Sequence, residues 1–406
     1  MNRLQHLAER YYARLLSSFW LITAFFAMFS LTQSTISYAP KHGMSDFAAY
    51  YTAAALLESA PQSLYDPQAQ LDFQRSMDER YHALKKQETR IFINPPHTAL
   101  FFLPVLQLNY AAAYETWQWA SALFYTALLL LLIHQTGGTI LSGRTALILA
   151  LLAFFPPWFH GLLNGQLNLL MMAGLMLFYQ AMRHHNLRLL AAALFLFSFK
   201  PHLFVLLAIP LLFEFRLKGV LTALGVMVLV IFLSSLSGGI GIWSDYLSFL
   251  QRMSGIRRDF SIHADGMYNL SAILLNTTAL SASATRLISL CLLGVALTGG
   301  ALMYAHSRHA PLPVRLMLTG WLVTIGLFLS PWTHMYSLLA LLVPAFWSAR
   351  FLPVKWQPAV LPVYVLILAL HLSEYAMFVD VMLYVVFLLM MIVAAMRYQR
   401  HLHRSG

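Results

Sequence analysis

Ten apolar runs, most of them 16–20 residues long, recur along this 406-residue chain, near 18–36, 114–133, 145–160, 167–182, 219–236, 285–304, 315–330, 335–348, 358–372 and 379–396. The hydrocarbon core of a bilayer is about 30 Å thick and takes about 20 apolar residues of α-helix to cross. Only 10% of the residues are charged, against about a quarter in soluble proteins. A lipid-exposed backbone must satisfy its own hydrogen bonds, and the alternating pattern of a β-barrel is absent, so the spans must be helices. The sequence therefore predicts an all-α integral membrane protein, a polytopic helical bundle of about 10–12 membrane segments, forming a single domain over residues 1–406.

Two segments depart from simple spans. The stretch "LLAAALFLFSFKPHLFVLLAIPLLFEF" carries Lys200-Pro201-His202 near its middle. Proline removes a backbone donor and breaks a helix, which predicts two half-helices meeting at a polar tip over residues 189–213. The stretch "PPHTALFFLPVLQL", residues 95–108, is apolar but too short to cross, and reads as a juxtamembrane or re-entrant piece.

The net charge of +11 comes with no basic block, so it points to membrane topology rather than to nucleic acid. With the N-terminus in the cytoplasm, the cytoplasmic segments collect Arg3, Arg10, Arg14, Arg144, Arg183, Arg188, Arg216, Lys218, Arg308, Arg315, Arg350, Lys355, Arg397, Arg400 and Arg404, opposed only by Glu9 and Glu214. This positive-inside bias places both termini in the cytoplasm and two large loops, about 37–113 and 237–284, on the far side. The first run is long enough to span and many follow, which argues against a cleaved signal peptide despite Ser37-Tyr38-Ala39. The single cysteine, Cys291, excludes an intrachain disulfide and a thiolate metal site.

Polar residues recur where spans meet the far side: Asp46, Tyr50 and Tyr51; Asn94 and His97 around Pro95-Pro96; Asn164, Gln166 and Asn168 around Gly165; Lys200 and His202; Trp332, His334 and Tyr336. Each alone reads as a helix cap or an interfacial anchor, and Ser45 or Asp46 can cap the helix that follows. Together they fit a polar cavity, because ionisable groups at membrane depth are costly. His184-His185 and His401/His403 lie among arginines and read as solvated surface rather than metal ligands. Asn269-Leu270-Ser271 and Asn276-Thr277-Thr278 match the glycosylation pattern but read equally as loop or cap residues.

The motifs "SDFAAYYTAAALL…SLYDP", "NPPHTALFFLPVLQLNYAAAYETW", "NGQLNLLMMAGLML", "FKPHLFVLLAIPLL" and "SPWTHMYSLLALLVPA", in that order, resemble glycosyltransferase family 87 of the GT-C superfamily over most of residues 45–345. The resemblance implies a GT-C-type bundle and a polyprenol-phosphate-mannose-dependent α-mannosyltransferase. It puts the catalytic carboxylate at Asp46 and a second functional residue at His334. The chemistry is consistent: a lipid phosphate leaves as an anion, and the acceptor hydroxyl needs a base, which a carboxylate supplies. The departing phosphate needs cations, for which Lys200 is the first candidate and Arg257 and Arg258 stand behind it; Lys200 also reads as an interfacial anchor, and the arginine pair more readily as a solvated or headgroup-facing charge pair.

Tyr50, Tyr51, Asn94, His97, Gln166, Asn168 and His202 complete the expected substrate-binding set. No cofactor or metal is expected, since no Asp-x-Asp pair occurs to hold a nucleotide sugar through a divalent ion. The expected partners are a polyprenyl-phosphate sugar, a glycolipid or glycan acceptor and membrane lipids, with no nucleic acid. The expected location is a bacterial plasma membrane, with the site facing the periplasm or the exterior. The alternatives are a transporter or flippase of lipid-linked saccharides, which shares the polar cavity and broken helix, and a structural subunit. The long first loop and the lack of inverted repeats count against the transporter.

Overall fold

The computed structural model describes residues 3–42, 46–77, 90–135, 137, 143–256, 269–330 and 333–349. Among these the regular structure is helical, with no strand. The main helices are α1 (Arg3–His42), α2 (Phe47–Ser59), α3 (Pro67–Ser76), α4 (His97–Phe102), α5 (Tyr110–Gln135), α6 (Gly143–Ala153), α7 (Pro156–Leu163), α8 (Asn168–His184), α9 (Leu187–Phe197), α10 (Arg216–Gly238), α11 (Gly241–Ile256), α12 (Leu270–Thr277), α13 (Ala282–His306), α14 (Leu312–Leu329) and α15 (Leu342–Ala349). Tight helical turns at Pro201–Leu207 and Met335–Leu341 lead into Ala208–Pro210 and α15.

Among the described residues, five helical runs are long and apolar enough to cross a membrane: Leu15–Ser37, Tyr110–Gln135, Phe204–Gly238, Ser283–His306 and Leu312–Leu329. Their outer faces match lipid rather than water. Phe19, Ile22, Phe25 and Phe26 on α1, Leu217, Leu221 and Val228 on α10, and Leu287, Leu290 and Val295 on α13 are all exposed. Hydroxyls on these helices are satisfied by backbone carbonyls one turn back, as with Thr32 on Met28, Thr126 on Ala122 and Ser234 on Val230. This removes the cost of an unpaired polar group in hydrocarbon.

Two expected spans take more detailed forms, and one expected break is present. The run at 145–160 is two helices, α6 and α7, bent by 51°. Pro156 and Pro157 open α7, where proline is tolerated because the first helical N–H groups have no partner anyway. The run at 335–348 begins as a tight helix over Met335–Leu341 before α15. The segment around Lys200 breaks as expected, with α9 ending at Phe197 and Lys200 outside the helical region at φ −144° and ψ 65°.

The run Phe204–Gly238 is not one straight rod. Arg216 adopts a positive φ of 53°, and the chain folds back so closely that a Cβ on Gly219 would lie 3.0 Å from the Leu211 carbonyl oxygen. The legs before and after Arg216 are therefore neighbours, with Glu214, Arg216 and Lys218 at the turn. The short segment 95–108 becomes α4 and a tight turn inside the first loop. The expected spans at 358–372 and 379–396 lie outside the described residues, as do Arg257 and Arg258.

The legs alternate between two ends of the bundle. At one end the N–H of Phe47 donates to the Asn164 carbonyl at 3.2 Å, and Tyr65 of the first loop packs on Tyr246 and Phe249 of α11. Asn269 belongs to this end as well. Its side chain accepts from the Ala272 N–H and donates to the Thr333 carbonyl, so it is a buried helix cap. At the other end His185 meets Phe215, Arg183 sits over Trp347, and Tyr304 reaches Glu214.

Candidate active site

Asp46 lies immediately before α2 and does not cap it: its backbone is helical, at φ −65° and ψ −11°, and its side chain makes no capping bond. The next residue fixes its place. Phe47 is fully buried against the rings of Phe102, Tyr110, Tyr114 and Trp117. With Phe47 anchored there, the Asp46 carboxylate is left at the edge of the polar end, 27% exposed.

One carboxylate oxygen accepts a hydrogen bond from Nε2 of Gln166. The other lies 3.6 Å from Nε of Arg90. Gln166 ends the turn between α7 and α8, where Gly165 has a φ of +64° that a side chain would resist. That turn is pinned from two sides. The Trp117 indole donates to the Gly165 carbonyl at 3.0 Å, and the Gln166 N–H donates to Gly161 at 2.9 Å.

Oε1 of Gln166 then accepts from two donors, Nζ of Lys200 at 2.7 Å and the hydroxyl of Tyr50 at 3.1 Å. Lys200 is buried, and its ammonium also sits 4.6 Å over the ring of Tyr336. This contact adds a cation–π attraction to the hydrogen bond. His334 stacks on Tyr336 at 5.2 Å, and His202 neighbours both Lys200 and His334. Burial, and then the nearby Asp46 charge, push the Tyr50 hydroxyl well above its ordinary range, so it stays a donor. Asn94 sits beside that hydroxyl and takes the Tyr65 hydroxyl on its own carbonyl at 2.8 Å.

The structure therefore gathers Asp46, Tyr50, Gln166, Lys200, His202 and His334 from four parts of the chain, with Asn94 at the edge. Asn168 supports the group from behind by donating to the Tyr336 carbonyl at 3.3 Å. Tyr51 turns away, donating to the Leu108 carbonyl at 3.0 Å. His97 is buried between Phe195 and Phe199, its Nε2 2.9 Å from the Ser198 hydroxyl, and it tethers α4 to the end of α9.

Arg90 is the site residue that the sequence did not single out. It sits on a stretch without regular structure and with no periodic pattern. Its backbone is clamped at both its N–H and its carbonyl by the side-chain amide of Gln74, at 3.2 and 2.7 Å. Gln70, one turn away on α3, holds the Phe92 N–H at 2.7 Å. The only available signal was a lone arginine four residues before the Asn94-Pro95-Pro96-His97 cluster. Among the described residues no group of three or more His, Cys, Asp and Glu side chains could hold a metal ion.

Two consequences are measurable here. A Cβ at Gly161 would collide with the Asn168 amide. Gly161→Ala is expected to lower stability by about 1–3 kcal/mol, read as the unfolding midpoint in micelles, because overpacking displaces the support under Tyr336. His97 is pulled down by burial to about 4, so the folded protein holds it neutral. An unfolded histidine titrates near 6.5. The stability due to this neutral state is complete above about pH 6.5 and is lost as pH falls toward about 4. The loss is on the order of 3 kcal/mol, and His97→Asn should flatten that part of the stability–pH curve.

The fold and this end of it define a polytopic helical membrane protein in which a carboxylate, a carboxamide and two cations converge beside aromatic rings. Residues 92–331, more than half of the chain, match Glycosyltransferase family 87. The chain belongs to that family, and it is a glycosyltransferase. No curated protein and no solved structure matches it. The matched region contains Asn94, His97, Gln166, Asn168, Lys200 and His202, while Asp46, Arg90 and His334 lie outside it.

Proposed function

We propose that this glycosyltransferase moves a hexose, mannose by family resemblance, from a polyprenyl phosphate to a hydroxyl of a glycolipid or glycan at the non-cytoplasmic face of the membrane. Asp46 takes the proton of the acceptor hydroxyl as its oxygen attacks the anomeric carbon. The bond from that carbon to the phosphate oxygen breaks, and the lipid phosphate leaves as an anion with inversion at the sugar. Lys200 and Arg90 meet the negative charge that develops on the phosphate. His334, stacked on Tyr336, orients the acceptor or serves as a second base.

One observation carries this reading. An acidic side chain and two cationic ones share a single polar cluster at the end of a lipid-facing bundle, Asp46 meeting Arg90 directly and Lys200 through Gln166. A base and an anion-binding pair are what attack and departure at a lipid phosphate require. The test is sugar transfer by the purified protein in lipid nanodiscs, with a panel of prenyl-phosphate sugars, nucleotide sugars and cell-envelope acceptors, followed by linkage analysis. A glycosidic product with inverted configuration from a prenyl-phosphate donor is expected. Transfer from nucleotide sugars alone would overturn the donor assignment. Movement of lipid-linked sugar across vesicles without bond formation would establish a transporter instead.

A further inference from the structure

We infer that Gln166 is a positioning residue that aims the Asp46 carboxylate and keeps it apart from the Lys200 ammonium, rather than a residue that binds sugar. This rests on the reading of Asp46 as the base. The orientation of the amide is forced. Oε1 receives two donors, Lys200 Nζ at 2.7 Å and the Tyr50 hydroxyl at 3.1 Å. Nε2 is then the atom that faces the carboxylate. The opposite orientation would set N–H groups against an ammonium and an amide oxygen against a carboxylate.

The hydrogen-bond inventory of the amide is nearly exhausted. A carbonyl oxygen has two lone pairs, and both are engaged. Of the two N–H groups one is given to Asp46, which leaves a single donor. Gln166 is also buried, at 5% exposure, so it has little left to offer a substrate.

Its neutrality matters as much as its bonds. A direct pair between Asp46 and Lys200 would weaken the carboxylate as a base and occupy the ammonium that the phosphate needs. With the amide between them, the two charges act on each other only at one remove. When a phosphate draws Lys200 away, Tyr50 still holds Oε1, and Nε2 stays aimed at Asp46. The charged and titratable groups that face the carboxylate are Arg90 from the stretch before α4, Tyr50 from α2, Lys200 from the broken segment and Tyr336 beyond α14, with His202 and His334 next to Lys200 and Tyr336.

The test is the acidic limb of kcat/KM for the acceptor against pH, measured on the purified full-length enzyme with a saturating prenyl-phosphate sugar. Gln166→Glu keeps the acceptor for Lys200 and Tyr50 but brings a second carboxyl against Asp46, so the pair shares a proton. The limb should move up by at least about one pH unit. Gln166→Met removes the donor to Asp46 and should also raise the limb, with kcat about 10- to 100-fold lower. Tyr50→Phe frees one lone pair of Oε1 and should raise it less; it serves where either Gln166 variant fails to fold.

If kcat falls while the limb stays at its wild-type position, Gln166 does not set the base. If the loss appears wholly as a raised KM for the donor or acceptor, it is a binding residue. Asp46→Asn measured alongside separates the two readings. Activity near wild type in that variant ends the base assignment itself, whereas an inactive Asp46→Asn with an unmoved limb in the Gln166 variants ends only the positioning role.

Discussion

Asp46→Asn is expected to lower the rate of sugar transfer by 10²- to 10⁴-fold, the usual contribution of a general base, while the protein folds normally. That corresponds to about 3–5 kcal/mol in the barrier. The fold should survive because the carboxylate makes no bond to the N-terminus of α2. Its two partners are the Gln166 amide and the Arg90 guanidinium. Asparagine fills the same volume, and its oxygen can still accept from one of them. The ion pair with Arg90 is 3.6 Å long, and its side chains are 27% and 33% exposed. An exposed pair of that kind contributes about 0–1 kcal/mol, so the unfolding midpoint should barely move. Single-turnover transfer with a prenyl-phosphate donor reads the chemistry, and thermal unfolding in the same micelles reads the fold. A variant within tenfold of wild type would end the assignment of Asp46 as base. Equal loss of activity and stability would mean that Asp46 serves the fold.

The bundle was legible because bilayer thickness sets the length of each apolar run and because charge marks its ends. The reversal at Arg216 shows this. Glu214, Arg216 and Lys218 are clustered in sequence, and the structure turns the chain there. The bend between α6 and α7 was less visible, since Pro156-Pro157 sits inside an apolar stretch that reads as one run over 145–160. The site divides in the same way. Asp46, Gln166 and Lys200 stood out as polar residues at the ends of spans, although Gln166 and Asp46 are 120 positions apart. Arg90 did not stand out. Its place depends on the Gln70 and Gln74 amides of α3 gripping an irregular backbone, a side-chain contact that leaves no trace in hydropathy or periodicity. Nor could the sequence decide whether Asp46 caps α2. That depends on the side-chain direction, which the burial of Phe47 among four rings determines.

Glu214→Ala, at the opposite end of the bundle, is expected to have the largest effect on stability, a loss of about 3–5 kcal/mol. Glu214 pairs with Arg315 as Asp46 pairs with Arg90, but in a different setting. Its side chain is 1% exposed and that of Arg315 is 19% exposed. One Glu214 oxygen accepts from the Tyr304 hydroxyl at 2.9 Å, and that hydroxyl also lies 3.3 Å from Thr319. Arg315 in turn donates to the Ala310 carbonyl at 3.1 Å. The network ties the reversal at Arg216 to α13 and α14, with the Glu214 carboxylate almost wholly buried. Truncating Glu214 strands a largely buried guanidinium and leaves Tyr304 without its acceptor. Glu214→Gln keeps an acceptor for Tyr304 and should lose less. The double variant Glu214→Leu with Arg315→Met removes both charges and should recover much of the loss, because a buried ion pair stabilises little over an apolar pair of similar volume. Unfolding midpoints of the four proteins in one micelle system check the order. The acidic limb of the pH–rate profile should be the same in every variant that folds, since this network lies at the far end from Asp46. A Glu214→Ala protein that melts with the wild type would show that the pair is not what holds the turn.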